Sequence, residues 1–173
     1  MITKFLIACI LLTCLSCKKE SQNSDKDLKA TKKSQIITQK DIDKFKYLDF
    51  SLDGEVSVLI EYWQGYKNLE KIINNVKKGD LSYFKNDAKK NLNTLMIELK
   101  EMMPDTIKTP SVLARISVIE TNLYKTESLS NLSTTKKEAL EITLKELLIS
   151  FSNLNFQMNK KLEGDFYDIQ NPQ

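Results

Sequence analysis

Apolar side chains recur in steps of three and four over most of this chain, and each run stops at a glycine, a proline or a polar turn. From Glu55 to Lys78 the stripe is Val56, Leu59, Ile60, Trp63, Tyr66, Leu69, Ile73 and Val76, the spacing of one helix face. Gly79 stands where helices commonly end, and Asp80 can cap the next one. Leu81, Phe84, Ala88, Leu92, Leu95, Leu99 and Met102 predict a second helix, from Leu81 to about Met103, closed by Pro104. Thr109-Pro110 reads as an N-cap with proline at the first helical position, and Val112, Ile116, Ile119 and Leu123 form the third stripe. After a polar turn at 130–134, Thr135 and Glu138 form a capping box. The fourth helix runs from Lys136 to about Glu163, with Leu140, Leu144, Leu147, Phe151, Leu154, Met158 and Leu162 on one face. At 1.5 Å per residue it is about 42 Å long. Gly164 is expected to stop it, leaving 165–173 as a tail.

Four amphipathic helices joined by short turns predict an all-α fold, an antiparallel four-helix bundle over residues 54–164. About 110 residues suffice for a single core. Ahead of the bundle, Ile42, Phe45 and Leu48 suit a helix face with Thr38 as N-cap, whereas Leu48, Phe50 and Leu52 alternate with polar residues. The reading is a short helix from about Gln39 to Tyr47, then an extended arm packed on the bundle, together covering 36–53. Residues 18–35 carry only Leu28 and Ala30 as apolar side chains. Such a stretch cannot offset its own ordering entropy and is expected to be a disordered tether with a reach of about 25 Å.

The first seventeen residues have a different character. Lys4 precedes an apolar-to-small run, Phe5 to Ser16, which ends at Cys17 and is followed by Lys18-Lys19-Glu20. About 12 residues is short for a spanning helix of roughly 20 and suits a signal-peptide core. Cys14-Leu15-Ser16-Cys17 resembles the lipobox of bacterial lipoproteins, with Cys14 in place of the usual aliphatic residue. The resemblance implies a signal peptide over 1–16 and a lipidated Cys17 heading the mature chain. Its sulfur would carry diacylglycerol and its amino group an acyl chain such as palmitate, and two or more chains anchor stably. Processing at Cys14 would place Thr13 last; an ordinary secretory leader or an uncleaved anchor is the other alternative. Lys18 in place of aspartate implies, by the same resemblance, the outer membrane; periplasmic or outward orientation is left open.

Composition narrows the chemistry. The three cysteines, Cys9, Cys14 and Cys17, all lie in the leader, and histidine is absent. With Cys17 acylated, the body has no thiol or imidazole, which removes Cys/His nucleophiles, Cys/His zinc sites and haem attachment. Loss of 1–16 takes Lys4 and no acid, leaving 25 basic against 23 acidic side chains. That balance, with Arg115 as the only arginine, argues against nucleic acid as a partner. No cofactor and no metal site is expected; Asp41 with Asp43, or Asp49 with Asp53, fall short of the ligand count calcium needs.

Three side chains stand out as ligand- or partner-binding candidates, and no residue as a catalytic one. Tyr62, Trp63 and Tyr66 crowd one turn, with Tyr83 and Phe84 further on, and an aromatic platform for a glycan or apolar ligand is one reading. Core packing is the preferred reading for Trp63 and Tyr66, with Gly65 allowing close helix approach; Tyr62 is the expected exposed member. Arg115 borders the third stripe and is expected to pair with a carboxylate on a neighbouring helix, or to receive a ligand carboxylate. Asn153, Asn155, Gln157 and Asn159 form an amide strip, a solvated flank or the lining of a polar site. The whole resembles the small helical envelope lipoproteins of Gram-negative bacteria. The expectation is a non-enzymatic, lipid-anchored module that binds a protein or envelope component; the alternative is a periplasmic ligand-binding, sensor or chaperone-like bundle.

Overall fold

In a computed structural model the chain is described over residues 36–170; Cys17, the leader and the tether lie outside the described residues. The described residues are helical and contain no strand. Six α-helices follow one another: α1 Gln39–Ile42, α2 Gly54–Leu59, α3 Gln64–Lys77, α4 Ala88–Glu101, α5 Pro110–Asn131 and α6 Lys137–Gln170. Single 3-10 turns, Ser82–Phe84 and Asp105–Ile107, lie in the connections flanking α4. Among the described residues no helix is long and apolar enough to cross a membrane.

The contacts run α3 to α4, α4 to α5, α5 to α6 and α6 back to α3, while α1 and α2 both pack on α6. Leu69, Ile73 and Val76 from α3, Leu92 and Leu99 from α4, Ile116, Ile119 and Leu123 from α5, and Leu144, Leu147 and Leu154 from α6 are buried together. These are the predicted stripes. Thr109 caps α5 by accepting from the Val112 amide at 3.3 Å, ahead of Pro110.

Four boundaries differ from expectation. The helix expected over 55–78 breaks after Leu59 and resumes at Gln64, because α2 docks on α6 whereas α3 docks on α4 and α6. The β-branched and aromatic run Val56-Ser57-Val58, Ile60, Tyr62-Trp63 resists the break only weakly. Over 81–87 a 3-10 turn replaces the expected start of the second helix. Asn86 there takes a left-handed φ of 46°, a conformation asparagine tolerates better than most residues. Met102, expected inside, is exposed and Met103 buried, because α4 ends at Glu101 and the chain turns. Gly164 does not stop α6, which continues to Gln170. One glycine costs about 1 kcal/mol, and the Lys161–Asp165 ion pair spans it one turn apart.

Residues 36–53 form the short helix and arm, the helix being only Gln39–Ile42. Thr38 and Asp41 cap it reciprocally, and Asp41 accepts from Lys137 at 2.7 Å at the start of α6. Thr38 also sits against Gly79, whose φ is 77° and whose Cβ, if it had one, would meet the Thr38 carbonyl carbon at 2.7 Å. The Lys137 ammonium, and then the Thr38 hydroxyl, hold the Asp41 carboxyl well below its ordinary value of 3.8. Lys137 in turn is raised above 10.5, chiefly by Asp41. Asp41 therefore binds its proton less readily folded than unfolded. Its contribution is complete above about pH 4 and fades as acid carries the pH down toward the folded value. The lysine contribution persists until alkali passes its own raised value. Urea denaturation of wild type and Asp41→Asn should show the largest stability gap at pH 7 and a much smaller one at pH 2.

Candidate functional site

The predicted residues occupy three separate places. Asn155 is 4% exposed, on the face of α6 that meets the arm. Spaced by three and four, Ser152, Asn155 and Asn159 share one helix face. The Ser152 hydroxyl donates to the Leu48 carbonyl at 2.6 Å and accepts from the Phe50 amide at 2.8 Å. Asn155 Nδ2 donates to the Phe50 carbonyl at 2.9 Å, and its Oδ1 accepts from the Tyr66 phenol at 2.8 Å. Asn159 donates to the Ser51 carbonyl at 2.9 Å and accepts from the Asp53 amide at 3.1 Å.

An extended arm without a strand neighbour needs partners for its backbone, and α6 supplies them from side chains. The solvated-flank reading of Asn155 and Asn159 is therefore corrected: their partner is residues 48–53 of the same chain. Phe50 packs against Phe156 with ring centroids 4.8 Å apart and planes tilted by 37°, and Lys77 pairs with Asp49 at 2.6 Å. Burial, then the charge of Asp49, push the Tyr47 phenol up to about 12.

Trp63 and Tyr66 lie in the core, their rings 5.7 Å apart, and Tyr66 stacks on Phe151 at the same distance. Burial first, and Glu70 second, raise the Tyr66 phenol far above its ordinary value, against the pull of the Asn155 hydrogen bond. It stays a donor throughout the physiological range. Trp63 Nε1 donates to the Glu98 carbonyl at 3.3 Å, and a Cβ on Gly65 would meet the Glu98 and Leu99 backbones at 2.6 Å. This is a close crossing of α3 over α4. Tyr62 points outward, 87% exposed, with Val58 71% exposed one turn earlier and Leu59 beside it.

Arg115 is exposed and makes no ion pair with a described carboxylate. The expected interhelical pairing is carried instead by Lys100 with Glu120 at 2.6 Å and Lys125 with Glu146 at 2.8 Å. Tyr62, Arg115 and Asn155 thus share no common site.

A groove of about 340 Å³ between α3 and α4 escaped sequence reasoning. Asn68, Lys71, Ile72 and Asn75 come from α3, Asn91, Thr94, Leu95 and Glu98 from α4, and Tyr83 from the connection. The spacing 68, 71, 72, 75 against 91, 94, 95, 98 was the available signal: two helix faces whose polar positions flank one buried residue each. Gln64 donates to Asn68 at 2.9 Å, and Asn68 donates to Glu98 at 2.8 Å. Burial and then Glu98 push the Tyr83 phenol up.

The chain matches no protein family, no curated protein and no solved structure.

Proposed function

We propose that this chain is a lipid-anchored cell-envelope protein whose helical head, an antiparallel four-helix bundle of α3 to α6, presents an apolar ridge to a protein partner and does no chemistry of its own. The closed circuit of contacts among those four helices supports the bundle. The observation that carries the functional reading is the position of Val58, Leu59 and Tyr62. The arm runs along α6 in the same direction, from Asp41 at Lys137 to Asp53 at Asn159. Those 22 positions of α6 correspond to about 33 Å. The ridge follows Asp53 and so lies at the end of the head opposite the point where the chain joins it, Ile36.

Large apolar side chains grouped on an exposed turn, one of them a tyrosine, are what binding surfaces concentrate. Outer-membrane anchoring follows from Lys18 after Cys17 by the lipoprotein resemblance.

The test is made in intact cells. Labelled palmitate should enter the wild-type chain, and Cys17→Ser should release a folded protein that takes up no label. A photo-crosslinking residue at position 62 should yield one discrete adduct, lost when Val58→Asp is added while the helical circular dichroism is unchanged. Label in Cys17→Ser would refute the anchor, and an adduct pattern identical to that from a crosslinker at Arg115 would refute the ridge.

A further inference from the structure

The groove between α3 and α4 has a chemistry the ridge lacks and shares no residue with it. We propose that it binds a sugar ring of a neutral glycan, stacked on Tyr83 and hydrogen-bonded by Asn75, Asn91 and Glu98.

The floor is apolar: Ile72 and Leu95 are both buried. The Tyr83 ring stands edge-on to the buried Phe84, centroids 5.7 Å apart at 85°, so its orientation is held from behind and its half-exposed surface borders the groove. Glu98 is equally fixed. The run Gln64 to Asn68 to Glu98 occupies Oε2 of the carboxylate and leaves Oε1 without a hydrogen bond from a described residue. The side-chain amides of Asn75 and Asn91, one on each wall, also make no hydrogen bond with a described residue, although both border the groove. Thr94 already donates to the Lys90 carbonyl at 3.2 Å, so it can only accept. The volume of about 340 Å³ falls in the range of small-ligand sites, roughly 300–1,000 Å³.

These groups select a ligand class by elimination. A purely apolar ligand would cover the half-buried Asn75 amide and the free Glu98 oxygen without pairing them, at a cost per group that offsets its burial. An anion meets Glu98, and a small cation meets the Lys71 ammonium at the rim. A sugar ring leaves nothing unpaired. Each carboxamide offers a donor and an acceptor in one plane, matching adjacent hydroxyls that do both. The carboxylate accepts hydrogen bonds from hydroxyls, and the C–H face of the ring covers the phenol and the Ile72–Leu95 floor.

The full-length chain, uniformly labelled with ¹⁵N and held in detergent micelles, is titrated separately with N,N′,N″-triacetylchitotriose, cellotriose and maltotriose. The side-chain amide resonances of Asn75 and Asn91 report binding. At least one sugar should shift both saturably. Tyr83→Phe should retain the affinity, and Tyr83→Ala should weaken it about tenfold. Because Tyr83 is half-buried, Asn91→Ala provides a second arm: Asn91 is exposed, the fold should be unaffected, and affinity should fall about fivefold. No saturable shift with any of the three sugars would overturn the proposal. So would binding that survives both Tyr83→Ala and Asn91→Ala, or an equal response to the dipeptide lysyl-glutamate.

Discussion

Gly65→Ala is expected to destabilise the head by about 2–3 kcal/mol, although alanine is the better helix former by roughly 1 kcal/mol. The added methyl would sit 2.6 Å from the Glu98 carbonyl carbon and the Leu99 nitrogen. Both are backbone atoms, so no rotamer change relieves the clash and α3 must move off α4. That movement also stretches the Trp63–Glu98 and Asn68–Glu98 hydrogen bonds, which cross the same interface. Gly164→Ala is the matched control. Its Cβ would meet nothing within 4 Å in the middle of a continuing helix, so it should stabilise by about 0.5–1 kcal/mol. Urea denaturation followed by circular dichroism reads both. Equal signs for the two substitutions would refute the close crossing.

Asn155→Ala carries the second large effect, about 2–4 kcal/mol. It strands the Tyr66 phenol, which is in the core, and removes the donor to the Phe50 carbonyl. Tyr66→Phe alone removes one partner and the hydroxyl together, and should cost only about 1 kcal/mol. The double variant should fall short of the sum, since the two residues share one hydrogen bond. Hydrogen exchange supplies a local readout. The Phe50 and Asp53 amides donate to Ser152 and Asn159, the neighbours of Asn155 on the same face. Both should exchange faster in Asn155→Ala, whereas amides in the α4–α5 pair should change far less. Uniform acceleration across the head would mean that the arm is not a separately docked element.

Individual residues show how far sequence reading reached. Leu92, Leu99, Ile116, Ile119, Leu123 and Leu144 were placed inside by spacing and are fully buried. Burial that repeats every three or four residues is a local property of a helix, so periodicity carries it. Thr109-Pro110 was legible for a similar reason, because a cap involves groups only three residues apart. The breaks at 60–63 and 81–87 were not legible in the same way, since the apolar spacing runs through both. Gly65 was read as a point of close approach, yet its partners at Glu98 and Leu99 lie on a different helix. The sequence marks Asn155 as part of an amide strip, open to a solvated flank or a polar site, and not as a residue that holds the arm. Ser152, which makes two of the five arm contacts of this face, is not marked by the sequence, for a serine between phenylalanine and asparagine carries no signal of its own.

What the amino-acid order determined by itself is the helical character of the chain, its long helical faces, and the absence of cysteine and histidine from residues 18–173. Each follows from side-chain type and short-range spacing. Tertiary structure alone decided where the helices break, that the amide face of α6 holds the arm, and that polar faces of α3 and α4 combine into a groove. Those outcomes depend on pairs such as Asp53 with Asn159, 106 residues apart. Such a pair becomes favourable only after the core has brought two helices together, because its backbone groups would otherwise remain bonded to water.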